Sequence, residues 1–452
     1  MQRPAFFRFV LAGAAAITLV AGANTYAENQ KPAPATVPQP SVGGPADPTL
    51  RAIPLPGGKT MHILPATLET TQWGWFNNAQ EPVLRVKSGD TIVLETMMHS
   101  HNQVVPGTTI EQIKKTRTDF PGRGPHTLTG PIFIEGAEPG DVLRVKLNKI
   151  VPRAYATNFN VPGMFGQFPK LYQDGQVKYL YLDLDRMVTE FLPGVYIPLR
   201  PFPGTIGVAR KEPGQYSSVP PGEYAGNMDI RDLVAGTTLY VPVHVPGALL
   251  WTGDSHAAQG NGEVNLTALE TAYREFNITV DVIKGSPLDM PRIETPRSWI
   301  TMGFDQDLNK AWVQAKAQTV KFLSEQRMIS AEAAEKLMAT VSDCRVSQVV
   351  NVKKGIHCLN PKDVRNGRED MERPLKETQR YYVTHVRDAD LNKAMDDASL
   401  AMIQFLEKNL KVPRLDAYGL ASVAMDCRVG AVTNDGGNVH CLVPKSLWQK
   451  PR

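Results

Sequence analysis

The densest group of polar side chains is the run Trp251-Thr252-Gly253-Asp254-Ser255-His256-Ala257-Ala258-Gln259-Gly260-Asn261-Gly262-Glu263, which follows a strand-like apolar run from Val241 to Leu250. Residues two apart on a strand face the same side, so Asp254 and His256 would present a carboxylate and an imidazole together. Such a pair suits a divalent metal or general acid/base work. Glycines here let the backbone turn sharply enough for Gln259 and Glu263 to converge on the same spot. The bland alternative is a polar turn that only satisfies its own backbone.

Three further groups carry chemistry. Met98-His99-Ser100-His101-Asn102-Gln103 ends the strand-like run Thr91 to Thr96, and the spacing of His99 and His101 offers two imidazoles to one metal. Surface histidines at a strand end are the competing reading. In Gly130-Pro131-Ile132-Phe133-Ile134-Glu135-Gly136-Ala137, Glu135 closes an apolar run expected to be buried, where a carboxylate is either paired or raised in pKa for proton transfer. The Gly-bracketed loop Gly222-Glu223-Tyr224-Ala225-Gly226-Asn227-Met228-Asp229 adds an amide and two carboxylates. Gly-x-Ser-x-Gly, P-loop, dinucleotide and His-Glu-x-x-His patterns are absent, which disfavours serine-triad and nucleotide chemistry.

The elements that must position these residues are strands. Between Thr49 and about Asp289, short alternating runs such as Val83 to Val86, Thr91 to Leu94 and Val142 to Leu147 are separated by Ser88-Gly89-Asp90 and Pro139-Gly140-Asp141 turns. Thr238 to Val245 and Ile278 to Ile283 continue the pattern. This predicts a mainly β fold, a sandwich or distorted barrel, over a catalytic region 49–297.

After Ser298 the period changes to that of helices. Leu308, Ala311, Trp312, Ala315 and Phe322 form one stripe with Thr319 as its polar break, and Ile329, Ala333, Leu337 and Val341 form a second, with Ser330 as N-cap. A hairpin signature follows, Asp343-Cys344-Arg345-Val346 and His357-Cys358-Leu359 around Lys353-Lys354-Gly355. The whole helix-helix-hairpin unit recurs 83 positions later without a gap, as Asp390-Leu391-Asn392-Lys393, Asp426-Cys427-Arg428-Val429 and His440-Cys441-Leu442 show. An α+β C-terminal part with a tandem repeat is therefore expected, copy 1 at 298–362 and copy 2 at 363–452. Each copy keeps both of its cysteines, which predicts Cys344 paired with Cys358 and Cys427 with Cys441, leaving no thiol nucleophile. A site holding zinc on all four thiolates is disfavoured because neither pair has Cys-x-x-Cys spacing.

Arg3 and Arg8 precede an apolar run from Phe9 to Ala23, and Thr25 and Ala27 stand ahead of Glu28, the layout of a cleavable secretory signal over residues 1–27. An uncleaved anchor is the alternative, but the run is shorter than the ~20 residues a bilayer needs. Residues 28–48, rich in Pro, Ala and Gln, read as a flexible leader. A periplasmic or secreted protein is expected, one without membrane contact after signal removal. Losing the signal takes the formal net charge from +4 to +2, no foothold for nucleic acid.

Taken together, these blocks resemble the acetamidase/formamidase family. Trp73-Gly74, Pro82 to Val86 and Ser88-Gly89-Asp90 look like its opening, Gly130-Pro131 through Glu135 to Leu143 its second block, and Arg200-Pro201-Phe202-Pro203-Gly204-Thr205-Ile206-Gly207 its third. Asn227-Met228-Asp229 and Gly253-Asp254-Ser255-His256 through Gln259 to Glu263 look like its most diagnostic stretches. The resemblance implies hydrolysis of a small linear amide to carboxylate and ammonia, dependence on a divalent metal (zinc, with calcium the alternative) and a homo-oligomer. Under that reading His99, His101, Asp254 and His256 supply metal ligands, Glu135 or Glu263 moves the proton, and Asn227, Asp229 and Gln259 orient the substrate. Three positions depart from the family's pattern. Met98 and Asn261 stand where it has aspartates and Ala225 where it has a glycine, so His99 or His101 is expected to replace the missing carboxylate. A cyclic-amide or amino-acid-amide hydrolase on the same scaffold, or a non-catalytic exported ligand-binding relative, are the competing readings.

Overall fold

Period-two alternation builds the first layer. In the strand Val142–Pro152, Leu143, Val145 and Leu147 are buried while Lys146 and Asn148 are exposed, and its neighbour Tyr273–Ile283 pairs with it antiparallel, adding Phe276, Ile278 and Val280 to the same apolar face. These strands belong to a large sheet in the order Arg51–Leu55, Lys59–Leu64, Thr91–Leu94, Tyr273–Ile283, Val142–Pro152, Thr238–Pro242, Arg292–Glu294, Ser298–Asp305, Lys354–Pro361, Asp343–Gln348, Asp426–Val429, Gly437–Pro444, Tyr381–Asp388. The computed structural model describes residues 51–364, 374, 376–430 and 437–451, all within the compact unit Pro32–Arg452. The expected signal and leader lie outside the described residues.

A second sheet covers this one. Its path runs Val177–Tyr181, Tyr155–Phe159, Glu270–Thr271, Leu250–His256, Phe202–Val208, Ala225–Asn227, and Thr127–Glu135 pairs onto Leu250–His256 from the side. Ile132, Ile134, Ile206, Val208, Leu250 and Trp251 meet the first sheet's apolar face in one core. Each such side chain taken fully out of water stabilises the fold by about 1.5–3 kcal/mol. The protein is thus mainly β, a sandwich with a helical C-terminal part, as the strand pattern predicts. No helix among the described residues is long and apolar enough to cross a membrane.

The two repeat copies extend the first sheet. Copy 1 contributes Leu308–Arg327, Ala331–Val341 and the hairpin Asp343–Gln348/Lys354–Pro361, and copy 2 contributes Leu391–Asn409, Arg414–Ala424 and Asp426–Val429/Gly437–Pro444. They join where Asp343–Gln348 pairs with Asp426–Val429, with Arg345 opposite Arg428, its own counterpart, so a local pseudo-twofold axis passes between them. The helix starts obey the same symmetry: Asn309 donates to Asp390 and Asn392 to Asp307, at 2.8 and 2.7 Å. Cys344–Cys358 and Cys427–Cys441 are bonded, each across directly paired residues of its hairpin.

Thr319, the polar break in the first helical stripe, is buried, where its hydroxyl bonds Thr301 Oγ1 at 2.6 Å. Ser330 caps the second helix by accepting from Ala333 N. That helix, however, buries Ala334, Met338 and Val341, and Ala333 is exposed. Val341 is buried as expected and Ile329 and Leu337 pack partly buried against the core, so the departure from the expected stripe concerns Ala333, whose place on the inward face Ala334 takes.

Candidate metal and catalytic site

Neighbouring strands of the second sheet supply the centre. Asp254 and His256, two apart on Leu250–His256, lie with Asp254 Oδ1 3.4 Å from His256 Nε2. Directly opposite His256 in the register is Glu270, whose Oε2 is 3.1 Å from the same nitrogen. On the other side, Gly204 sits between the paired couples Pro203–Ser255 and Thr205–Gly253, facing Asp254. A Cβ added at Gly204 would meet His256 Cε1 at 2.5 Å, Asp254 Oδ2 at 2.6 Å and Asp229 Oδ1 at 2.7 Å. Only a residue without a side chain lets those three groups pack so closely over the strand.

Two imidazoles close the centre from the connection between the strands Thr91–Leu94 and Thr127–Glu135. His99 Nε2 is 2.9 Å from Asp254 Oδ1 and 3.3 Å from Glu270 Oε2. His126 Nε2 faces Asp254 Oδ2 at 3.6 Å, and its Nδ1 forms a 2.9 Å hydrogen bond with Ser218 Oγ. The connection itself holds the helix Ile110–Thr118, started by a capping box between Thr109 and Gln112.

A pair of carboxyls flanks the centre. Asp229, His256 and Glu263 bring ligand atoms within 4.8 Å of one another. The side-chain amide of Asn351, from the turn of the copy 1 hairpin, donates to Asp229 Oδ2 and, at 3.5 Å, to Glu263 Oε2. Asp229, Asp254 and Glu263 all sit in the left-handed backbone region, with φ of 51°, 50° and 51°. Holding three non-glycine residues there costs about 1–3 kcal/mol each, a concentration of strain typical of functional sites. Thr205 Oγ1 bonds Asn227 Oδ1 at 2.7 Å and Asp254 Oδ2 at 3.2 Å, and Gln259 Nε2 donates to Asp229 O at 3.2 Å.

Burial and mutual charge set the protonation states. Burial opposes ionisation of Asp254, but His126, His256 and His99 hold its carboxyl well below the usual range. Against the same penalty, His256 and His99 bring Glu270 down to about 2. In return, Glu270 and Asp254 outweigh burial to lift His99 to about 9 and His256 well above its ordinary value. Burial dominates at His126, which falls to about 4. It also pushes Asp229 well up, helped by Asp254 and Glu270, and Glu263 well up, helped by Asp229. Each carboxyl of the Asp229/Glu263 couple therefore makes ionisation of the other harder.

Two expected participants are elsewhere. Period-two geometry fails at His101 because the strand ends at Leu94 and Ser100, His101 and Asn102 turn through φ of 54°, 52° and 60°. The ring of His101 consequently lies 6.1 Å from that of Trp73, where burial and Arg123 lower its pKa. Glu135 is exposed, eight residues along its strand from Thr127, roughly 25 Å from the end that meets the site. His99, Asn227, Asp229, Asp254, His256, Gln259 and Glu263 are brought together, and His126, Glu270, Asn351 and Gly204 join them without having been anticipated. The capping box and the Pro125-His126 turn ahead of a strand were the available signals for the connection; nothing local marks Glu270 or Asn351.

Three overlapping groups could hold a metal ion, His99/His126/Asp254, Asp254/His256/Glu270 and Asp229/His256/Glu263. The residues fit such an ion. His99 Nδ1, both ring nitrogens of His256, Asp229 Oδ1 and Glu270 Oε2 are buried without a well-formed hydrogen bond, although Glu270 and His256 are close in space. Imidazole nitrogens and carboxylate oxygens are the ligand set of zinc, and so much buried carboxylate is costly without a compensating cation.

A sequence profile of the acetamidase/formamidase family matches residues 69–216 and 212–364, more than half of the chain. The chain belongs to the acetamidase/formamidase family. It is 29% identical to acetamidase from Bacillus halodurans, covering 66% of this chain and 97% of that one, with a TM-score of 0.61. Against acetamidase from Yersinia enterocolitica the identity is 26%, with 69% and 95% covered and a TM-score of 0.62. Acetamidase from Mycolicibacterium smegmatis is 30% identical over 246 residues, a match that covers 39% of this chain and 61% of that relative's length. Within the family match lie all the site residues from His99 to Asn351; copy 2 lies outside it.

Proposed function

We propose that this family member is an exported amidase that hydrolyses a small linear amide to a carboxylate and ammonia with the help of a divalent metal, zinc being the ion its ligands suit best. The observation that carries the reading is the juxtaposition of a buried His/carboxylate centre with the Asp229/Glu263 carboxyl couple, the two groups sharing His256 and the close approach of Asp254, His256 and Asp229 over Gly204. His99, His126, Asp254, His256 and Glu270 would hold the ion. Once bound, it would supply Lewis acidity that polarises the amide carbonyl and acidifies water.

The chain's own groups do the rest. Glu263 takes the proton from the attacking water and returns it to the leaving nitrogen, so that the C–N bond breaks as ammonia departs. Asp229 holds the couple's shared proton and keeps Glu263 matched to that role. Asn227, Gln259 and Asn351 offer amide groups that orient the substrate's own amide. Export is supported by the N-terminal charge and apolar pattern and by two hairpin disulfides, which form and persist in oxidising compartments.

The test is product analysis on the purified protein. Formamide, acetamide and longer amides are supplied before and after chelation. Stoichiometric ammonia and carboxylate, lost on chelation and restored by zinc, are expected; ammonia release unaffected by thorough metal removal would overturn the metal's part, and no release from any of them the hydrolase reading.

A further inference from the structure

Copy 2 lies beyond the residues matched to the family, yet it touches the site. Asp426, at the start of its hairpin, accepts from Asn261 Nδ2 through Oδ1 at 2.6 Å and from Arg231 through Oδ2 at 3.0 Å. Asn261 stands two residues before Glu263, and Arg231 two residues after Asp229. One buried carboxylate therefore ties together the two loops that carry the acid/base couple.

The backbone repeats the message. Gly260 N donates to Ser422 O at 2.8 Å and Cys427 N to Asn261 O at 3.1 Å, both from copy 2, while Gly262 N donates to Ser347 O at 3.1 Å of copy 1. Asn261 bridges Asp426, and Gly262 bridges Gln348, in parallel fashion. A Cβ at Gly260 would fall 2.3 Å from Met425 O, so the loop runs against copy 2 as closely as a backbone can. The two copies grip consecutive residues of the loop that ends at Glu263, and copy 1 adds Asn351 directly.

We infer that Asp426 is a positioning residue for the active site, setting through Asn261 and Arg231 the separation of Glu263 from Asp229, and that the second repeat copy serves the reaction in this way. The inference rests on the amidase reading of that couple. Pseudo-symmetry provides its control. Asp343, the counterpart of Asp426, is buried too and accepts from Arg345 at 2.7 Å and Arg428 at 3.4 Å, both residues of the repeats, so that it meets the Asp229 loop at one remove, through the Arg345–Asp232 pair at 3.2 Å. A carboxylate that merely braced the repeats would behave alike at both positions.

The experiment compares Asp426→Asn, Asp343→Asn and Asn261→Ala in the full chain by kcat, KM, thermal midpoint and amide hydrogen exchange over residues 259–263. Asp426→Asn and Asn261→Ala should lower kcat about 10- to 100-fold, the scale of a misplacement near 1 Å, with KM within about twofold, and speed exchange in the loop. Asp343→Asn should lower the thermal midpoint while leaving kcat and loop exchange close to the parent's. Equal effects of the two aspartate substitutions on kcat and exchange, or none from Asn261→Ala, would overturn the inference. Should Asp426→Asn fail to fold, Asn261→Ala alone decides, because it leaves the arginine pairs intact. Loop exchange needs no turnover, so a parent protein inactive on every amide would remove the amidase reading while the positioning of the loop by Asp426 is still decided.

Discussion

His99 and His126 stand at the two ends of one connection between strands, and their rings meet edge to face with centroids 5.7 Å apart, both beside Asp254. A metal ion held by these groups would clasp the connection at both ends, the helix Ile110–Thr118 included. Replacing His126 with Ala should therefore abolish tight zinc binding. Ser218→Ala, which frees His126 Nδ1, should weaken it about 10- to 100-fold. Competition with a chromophoric chelator measures both; zinc affinity unchanged in His126→Ala would exclude it as a ligand.

Glu263 and Glu135 make opposite predictions. Glu263→Gln keeps the shape of a buried, Asn351-contacted side chain but cannot accept a proton, so kcat should fall by about 10²- to 10⁴-fold with little change in KM. Glu135→Gln, exposed at the far end of its strand, should leave both constants unaltered. Ammonia release under saturating and limiting amide separates the two terms.

At Gly204 the prediction concerns one methyl group. Gly204→Ala would press carbon against His256, Asp254 and Asp229 at 2.5 to 2.7 Å. Shifting the centre by even 1 Å is enough to cost on the order of 10²-fold in turnover. Activity near the parent's would mean that the placement of Asp229, Asp254 and His256 over Gly204 does not govern turnover.

The charged seam between the repeats and the sandwich predicts acid sensitivity. Burial disfavours the Asp232 carboxylate, yet Arg345, His357 and Arg200 hold its pKa well below the ordinary value, and Arg231 and Arg428 do the same for Asp426. A depressed native pKa contributes stability that is complete above the unfolded value near 4 and is lost as pH falls toward the native one. The thermal midpoint should drop steeply below about pH 4. Asp232→Asn should lower the midpoint at pH 7 and flatten that acid limb; an acid limb as steep as the parent's would place the sensitivity elsewhere.

What could be seen in the sequence was what is local or repeated. Alternation marks the strands of the sandwich, and the 83-residue repetition marks the C-terminal helices, the hairpins and both disulfides. Asp254 and His256 were legible because a strand carries them side by side. His101 departs from the period-two pattern because three successive left-handed residues, Ser100, His101 and Asn102, end the strand geometry there. Glu270 enters the site as a cross-strand neighbour of His256, and Asn351 from a turn 88 residues beyond Glu263; such contacts depend on sheet order, which no single stretch of residues encodes.

The proposed metal ion would sit among His99, His126, Asp254, His256 and Glu270, beside Glu263. Anomalous X-ray diffraction at the zinc edge, from crystals grown with zinc, tests that placement most directly. A strong peak enclosed by those side chains, and absent from crystals of His126→Ala, is the result expected. A peak bound elsewhere, or a centre that stays free of metal at saturating zinc, would contradict it.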